Sequence, residues 1–358
     1  MSNARKLADN LPSVGQLGNR NVIINGSMNV AQRGTSETGI GASSGYFTVD
    51  RYKLQVGATS AGRLTMTQEA ITDLPGFANC AKLACTTADT SIAAGELLIF
   101  RQILEGQDLQ QFAKGTSDAK EFTVSFYVKG NASATYVCEL FDGDNSRQIS
   151  KTFSVTTSWT RVVLTFPADT TGAFADDNNI SLYLQIWLHS GSNYSSGTLN
   201  STSWASNTNA NRAVGIDSFF DSTSRTFFIT GVQIEVGPQA TPFEHEPVAV
   251  TLSKCQRYFY SAGHQNGHVT TRYGASTYRS RMYFERRMRA NPTITFSPTD
   301  GSNIRVYASN GTSEDQALSD IEANNISRNG FRLQFNNVGM SGDSGYILYL
   351  QYTADAEL

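Results

Sequence analysis

ITGVQIEVGPQATPFEHEPVAVTLSKCQRYFY, residues 229–260, is the stretch on which the reading of this chain turns. Residues 230–236 alternate apolar and polar side chains, the period of a half-buried strand. Gly237-Pro238 ends that strand, and Thr241-Pro242 opens an extended connector, because the residue before a proline is pushed out of the helical region. Leu252, Cys255 and Phe259 then recur at helical spacing before a second β-rich region begins. The segment therefore reads as a joint between two β domains.

Outward from the joint, the same alternation recurs. Residues 121–129 (EFTVSFYVK) place Phe122, Val124, Phe126 and Val128 on one face. Residues 160–166 gather Val162, Leu164 and Phe166, and residues 181–189 gather Leu182, Leu184, Ile186 and Leu188. GELLIFRQILEGQ reads as a strand ending in a turn at Gly106. Short strands separated by Gly, Asn and Asp turns predict an antiparallel sandwich and speak against βαβ organisation. Beyond the joint, residues 277–288, 292–296 and 330–335 and the closing GYILYLQYT read as further strands. The last is apolar on both faces, so it is expected to be central or to lie at an interface.

Composition agrees. The 358 residues include 30 Gly, 15 Tyr and 20 Phe, and only 16% are charged, which suits strands and polar turns better than helix bundles. A net charge of −3 gives no general attraction to nucleic acid or to an anionic membrane. The N-terminus lacks the apolar core of a secretion signal, and no apolar run approaches the length needed to span a bilayer. Cys80, Cys85, Cys138 and Cys255 have no metal-site spacing and read as buried free thiols. His264 and His268 in HQNGH lack the further ligands that a metal site needs. The Asp-rich turns at Asp142/Asp144 and Asp176/Asp177 leave a structural Ca²⁺ open, and no other cofactor is expected. No nucleophile elbow, zinc-protease motif, phosphate loop or dinucleotide fingerprint occurs, so no enzyme is expected.

NVIINGSMNVAQRGTS with Asp50-Arg51-Tyr52, then AAGELLIFRQILEGQDLQ, FTVSFYVKG, ITGVQIEVG, ATPFEHEP and CQRYFY, follow one another in an order that resembles the jelly-roll, carbohydrate-binding-module-like region of bacteriophage tail fibres. Arg289-Ala290-Asn291-Pro292-Thr293 and the ending YTADAEL are similar to the C-terminal tip domains that follow it. The likeness runs from about residue 18 to the end. It implies a virion tail component made in the host cytoplasm, usually a homotrimer, that contacts other tail proteins and the host surface. The expected domains are an anchoring segment (residues 1–20), a jelly-roll sandwich (21–247) and a smaller C-terminal β-sandwich-like tip (248–358). The expected function is non-catalytic adsorption to a surface glycan. A polysaccharide depolymerase and a purely structural collar or head-decoration protein are the alternatives.

Candidate glycan contacts come from alternation and from one long loop. Tyr183, Gln185, Trp187 and His189 must share the face opposite Leu182, and an aromatic face with amide groups suits sugars. Of these, Tyr183, Gln185 and Trp187 are the candidates, joined by Trp204 in the Ser/Asn/Thr-rich loop 190–213. The competing reading has the same rings packing under a loop or against a neighbouring chain. A second candidate surface comes from Arg279, Arg281, Tyr283, Glu285, Arg287 and Arg289, which would share a strand face able to meet phosphate or acidic sugars. The favoured competing reading is a plain solvated face, or one that pairs with Glu244, Glu246 and Glu285 across an interface.

Overall fold

A computed structural model of the chain describes residues 19–57, 60–262, 267–273, 277–297, 303–308, 313–317, 321–336 and 346–358. Most of the expected N-terminal anchor, up to residue 18, and His264 lie outside these, as does the side chain of His268. The chain divides into two compact units, Met1–Val248 and Ala249–Leu358.

The first unit is a jelly-roll-like β-sandwich. In chain order its strands are β1 (Ser36–Ile40), β2 (Gly45–Tyr46), β3 (Tyr52–Val56), β4 (Arg63–Ala70), β5 (Asn79–Thr87) and β6 (Leu97–Glu105). They continue with β7 (Phe122–Gly130), β8 (Ala134–Asp142), β9 (Arg147–Val155), β10 (Thr160–Phe166), β11 (Ile180–Ser190), β12 (Ala205–Ser206) and β13 (Thr226–Val236). One sheet runs β1-β4-β5-β13-β7-β10 and the other β12-β9-β8-β11-β6-β3-β2. From β5 to β8, and again from β9 to β11, the chain passes back and forth between the sheets, so strands distant in sequence become neighbours. The inward rows foreseen from alternation do meet in one core: Phe122, Val124, Phe126 and Val128 face Leu182, Leu184, Ile186 and Leu188, all buried. Cys80, Cys85, Cys138 and Cys255 are all buried free thiols, and burial pushes Cys80 up to about 12.

The 229–236 strand holds a feature that alternation alone does not disclose. Ile229 and Ile234 both face the core although five residues separate them. A β-bulge between Thr230 and Gln233 inserts one residue against β7 and restores the inward face. Gly231 sits there at φ +62°, and a Cβ would come within 2.8 Å of the Phe77 and Tyr127 rings. After the bulge strand, residues 237–247 turn back as a strap over the outer face of this sheet. Thr241 N–H and hydroxyl donate to the Glu235 carboxylate at 2.8 and 2.7 Å, and Glu244 N–H donates to Gln233 Oε1 at 2.9 Å. Phe243 packs on Phe77, which packs on Tyr127. What reads as a connector in sequence is thus also a cover that satisfies the polar side chains of β13.

A helix, Val248–Gln256, starts at the boundary and leads into the second unit. Its strands are β14 (Phe259–Ala262), β15 (Gly267–Arg272), β16 (Thr277–Tyr283), β17 (Thr293–Ser297) and β18 (Asn303–Ala308). They are followed by β19 (Ser313–Ala317), β20 (Ile321–Ser327), β21 (Gly330–Asn336), β22 (Tyr346–Tyr349) and β23 (Gln351–Asp355). These form a three-stranded sheet, β14-β23-β17, and a seven-stranded one, β19-β18-β22-β15-β16-β21-β20. The closing run of sequence is split at the buried Leu350 into β22 and β23, each with a neighbour on both sides in a different sheet.

Candidate functional site

The predicted glycan face of β11 is divided by the fold into a sealed half and a half-open half. Trp187 is completely buried and donates its indole N–H to Glu139 Oε2 at 2.7 Å, while Gln185 Nε2 donates to the same oxygen at 3.0 Å. Arg212, from the 190–213 loop, grips Glu139 with Nε and Nη2 at 2.8 and 2.9 Å and lies over both Trp187 and Phe141. Tyr194, Leu199, Ala213 and Ile216 of the loop region close over Trp187. The face foreseen as a sugar platform is therefore, at Gln185 and Trp187, the floor under a loop. A fully desolvated indole cannot stack on a ligand from solvent. Trp204 is likewise inside: its N–H donates to the Pro167 carbonyl at 2.8 Å and its ring packs on Phe122, which makes it a loop anchor.

Tyr183 alone of the four candidates stays half-exposed. Sheet register places it opposite Phe141, whose ring lies 5.6 Å away, and Arg101 stands over its other side, 5.2 Å from the ring centre. The register continues from Arg101 to Lys53 and from Lys53 to Tyr46. The result is a strip across five strands, β8, β11, β6, β3 and β2, in which two cations, Arg101 and Lys53, lie between the rings of Phe141 and Tyr183 on one side and Tyr46 on the other. Arg101 makes no hydrogen bond or ion pair with any described residue, and its Nε is buried without an acceptor. Burial lowers its pKa without any carboxylate to offset that. A guanidinium held so is suited to donate to a ligand's hydroxyl or carboxylate oxygens. The one signal for it in sequence is a lone charge inside the apolar run LLIFRQIL, at a position whose neighbours Ile99 and Ile103 share its face.

Two further polar clusters were not foreseen. Lys114 Nζ, fully buried, donates to Asp142 Oδ2 at 2.6 Å and to the carbonyls of Thr171 and Gly172, and lies 3.1 Å from Asp169. Arg147 clasps the other side of Asp169 at 2.8 and 3.0 Å. Burial pushes the Asp169 carboxyl up, but the hydrogen bonds from Arg147 and Lys114 outweigh it and hold the group below the usual carboxylate range. The Asp turns expected to leave room for Ca²⁺ are thus engaged: Asp142 by Lys114 and Asn145, Asp144 by the Ala175 N–H, Asp177 by Asn179. Among the described residues no three His, Cys, Asp or Glu side chains converge as a metal set.

The other cluster is a Ser218–His189–Glu96 relay, with His189 Nδ1 2.8 Å from the Ser218 hydroxyl and Nε2 3.1 Å from Glu96. The distances resemble a hydrolase triad, but the chemistry is that of a clasp. Ser218 Oγ already accepts the Phe220 N–H as the cap of a short 3₁₀ turn, and His189 is sealed from solvent. Burial lowers the His189 pKa, only partly offset by Glu96. With the folded pKa below the ordinary value of about 6.5, the unfolded chain binds more protons. The clasp's stability is then full above that value and is lost as pH falls through the folded pKa. The melting temperature should therefore decline as pH falls below about 6.5, and His189→Gln should flatten that decline. An unchanged slope in the variant would locate the titrating group elsewhere.

No family model matches the chain, and no curated protein matches it. Solved structures do. One is the enzymatically active domain of tailspike protein 4 of bacteriophage CBA120, at 11% identity and a TM-score of 0.31, covering 61% of this chain and 21% of that one. A second, TmCBM61 in complex with β-1,4-galactotriose, is 8% identical with a TM-score of 0.30, over 61% of this chain and 99% of that one. A family 30 carbohydrate-binding module is 14% identical with a TM-score of 0.29, over 65% and 95%. The chain spans about a fifth of the tailspike domain. Similarity this low transfers neither ligand nor assembly.

Proposed function

We propose that this chain is a non-catalytic glycan-binding fibre protein of a phage tail that adsorbs to the host cell surface. The observation that carries the binding role is the half-open strip around Arg101: a guanidinium without a partner among the described residues, flanked by the Tyr183 ring. Rings cover the C–H faces of sugars, and a planar guanidinium bonds pairs of oxygens. The ordered tail-fibre-like motifs supply the virion setting. A homotrimer would join three modest sites rigidly and raise avidity without better contacts; a full-length chain that sediments as a monomer removes that element.

The test is binding of labelled full-length protein to host cells and to a glycan array. Tyr183→Ala and Arg101→Gln are each expected to weaken binding about tenfold, as loss of one ring or one charge-assisted contact does. Equal binding by wild type and both variants would refute the strip as the site. Release of oligosaccharides from host envelope glycans by the wild-type chain would favour the depolymerase, and absence of any cell binding the collar or decoration protein.

A further inference from the structure

We propose that the second unit carries a separate site for an acidic saccharide, built on the outer face of β16 and β21. Burial along β16 alternates, with Tyr278 and Met282 inward and Arg279, Arg281 and Tyr283 outward. Arg281 pairs directly across the sheet with Arg332 of β21, so two arginines project from directly opposite positions on one face. Like charges placed directly opposite destabilise a sheet. Neither arginine makes an ion pair or hydrogen bond with a described residue, and Arg332 Nε is buried without an acceptor. A carboxylate stands one row away and is not used: Glu322 accepts instead from Asn324 Nδ2 at 3.0 Å and Gln334 Nε2 at 3.3 Å. The fold thus holds two adjacent cations apart from the acid that could neutralise them.

Aromatic rings mark both ends of this row. Tyr283 and Tyr273 are each 70% exposed, the largest exposure of any large apolar side chain among the described residues. Arg281 lies over Tyr283, and Arg279 stacks on Tyr273 at 3.5 Å while donating Nε–H to Gln334 Oε1 at 2.8 Å. A solvated basic face would need neither the rings nor the buried Nε. Two guanidinium forks on one face match the paired oxygens of a carboxylate or phosphate, and the flanking rings match the C–H faces of neighbouring sugar units. From Arg279 to Tyr283 is about 13 Å along a strand, a length that suits an oligosaccharide better than a single anion. Arg289, which sequence alternation assigned to the same row, is not part of it: it is buried and donates to the Ala356 carbonyl at 3.1 Å.

The ligand class rests on the glycan-binding reading above; the site does not share residues with the Tyr183 strip, so the two can fail separately. The experiment titrates the full-length chain with oligogalacturonate, a sialylated oligosaccharide and a phosphorylated oligomannose. Each is paired with its neutral form, the methyl ester for the first two and the dephosphorylated chain for the third. At least one acidic probe should bind tenfold or more tightly than its neutral partner, with affinity falling as salt rises. The double variant R281Q/R332Q should abolish that preference, Tyr283→Ala should weaken binding about tenfold, and Tyr183→Ala should leave it intact. Because the double variant removes a repulsion, its melting temperature should equal or exceed that of wild type, which a structural role for the pair would not allow. The proposal is overturned if no acidic probe outbinds its neutral partner, or if the preference survives in R281Q/R332Q. It is equally overturned if the chain self-associates and that association is what R281Q/R332Q removes, since the face would then belong to a second copy. Loss of host-cell binding in Tyr183→Ala but not in R281Q/R332Q would leave the general glycan reading standing while removing this one.

Discussion

Lys114→Met unfolds the first unit at a temperature about 10 °C lower than wild type, on the scale of a 3–5 kcal/mol loss in a domain of this size. The ammonium group is wholly buried between Asp142 and Asp169 and over the rings of Phe174 and Trp204. Methionine fills the space but leaves the Asp142 carboxylate buried and facing no cation. Asp169 keeps Arg147, so the cost falls mainly on Asp142. The double variant K114M/D142N is therefore expected to recover much of the loss, because an amide in place of the carboxylate removes the buried charge. Thermal melts of the single and double variants check this. A single variant as stable as wild type would mean that the pair gives no more than its own desolvation takes away.

Trp187→Ala produces a loss of similar size, about 3–5 kcal/mol, from the cavity left beneath the 190–213 loop. The loop residues that close over Trp187 lose their floor, while Arg212 still holds Glu139. The informative comparison is between stability and binding. Melting should drop sharply, and affinity of the still-folded protein for cells at low temperature should change little. A ring that stacked on sugar from the surface would give the reverse: an unchanged melt and a lost ligand. Calorimetry together with the cell-binding assay separates the two.

The strands most legible in sequence are those with an apolar row facing the core and a more polar row facing away from it. Residues 121–129 and 181–189 alternate because only one row of side chains enters the core, and that row was correctly identified from Phe122 and Leu182 onward. The opposite row was harder. Tyr183, Gln185 and Trp187 alternate in the same way whether solvent or a loop lies above them, since a strand's period reports that two faces exist and not what covers the second. Burial of Gln185 and Trp187 was decided by Arg212 and Ile216, tens of residues away, and by Glu139 on a neighbouring strand.

The 229–260 segment separates the two kinds of information most clearly. Its alternation, its Gly237-Pro238 stop and its helical spacing after residue 248 were local, set by side-chain period and backbone sterics, and sequence alone determined them. The bulge at Gly231, the strap on Glu235 and Gln233, and the lack of a hydrogen-bond acceptor for Arg101 Nε and Arg332 Nε among the described residues were not. Each depends on which residue of another strand arrives opposite, and that is fixed only when the sheets assemble and every buried polar group must find its partner or go without.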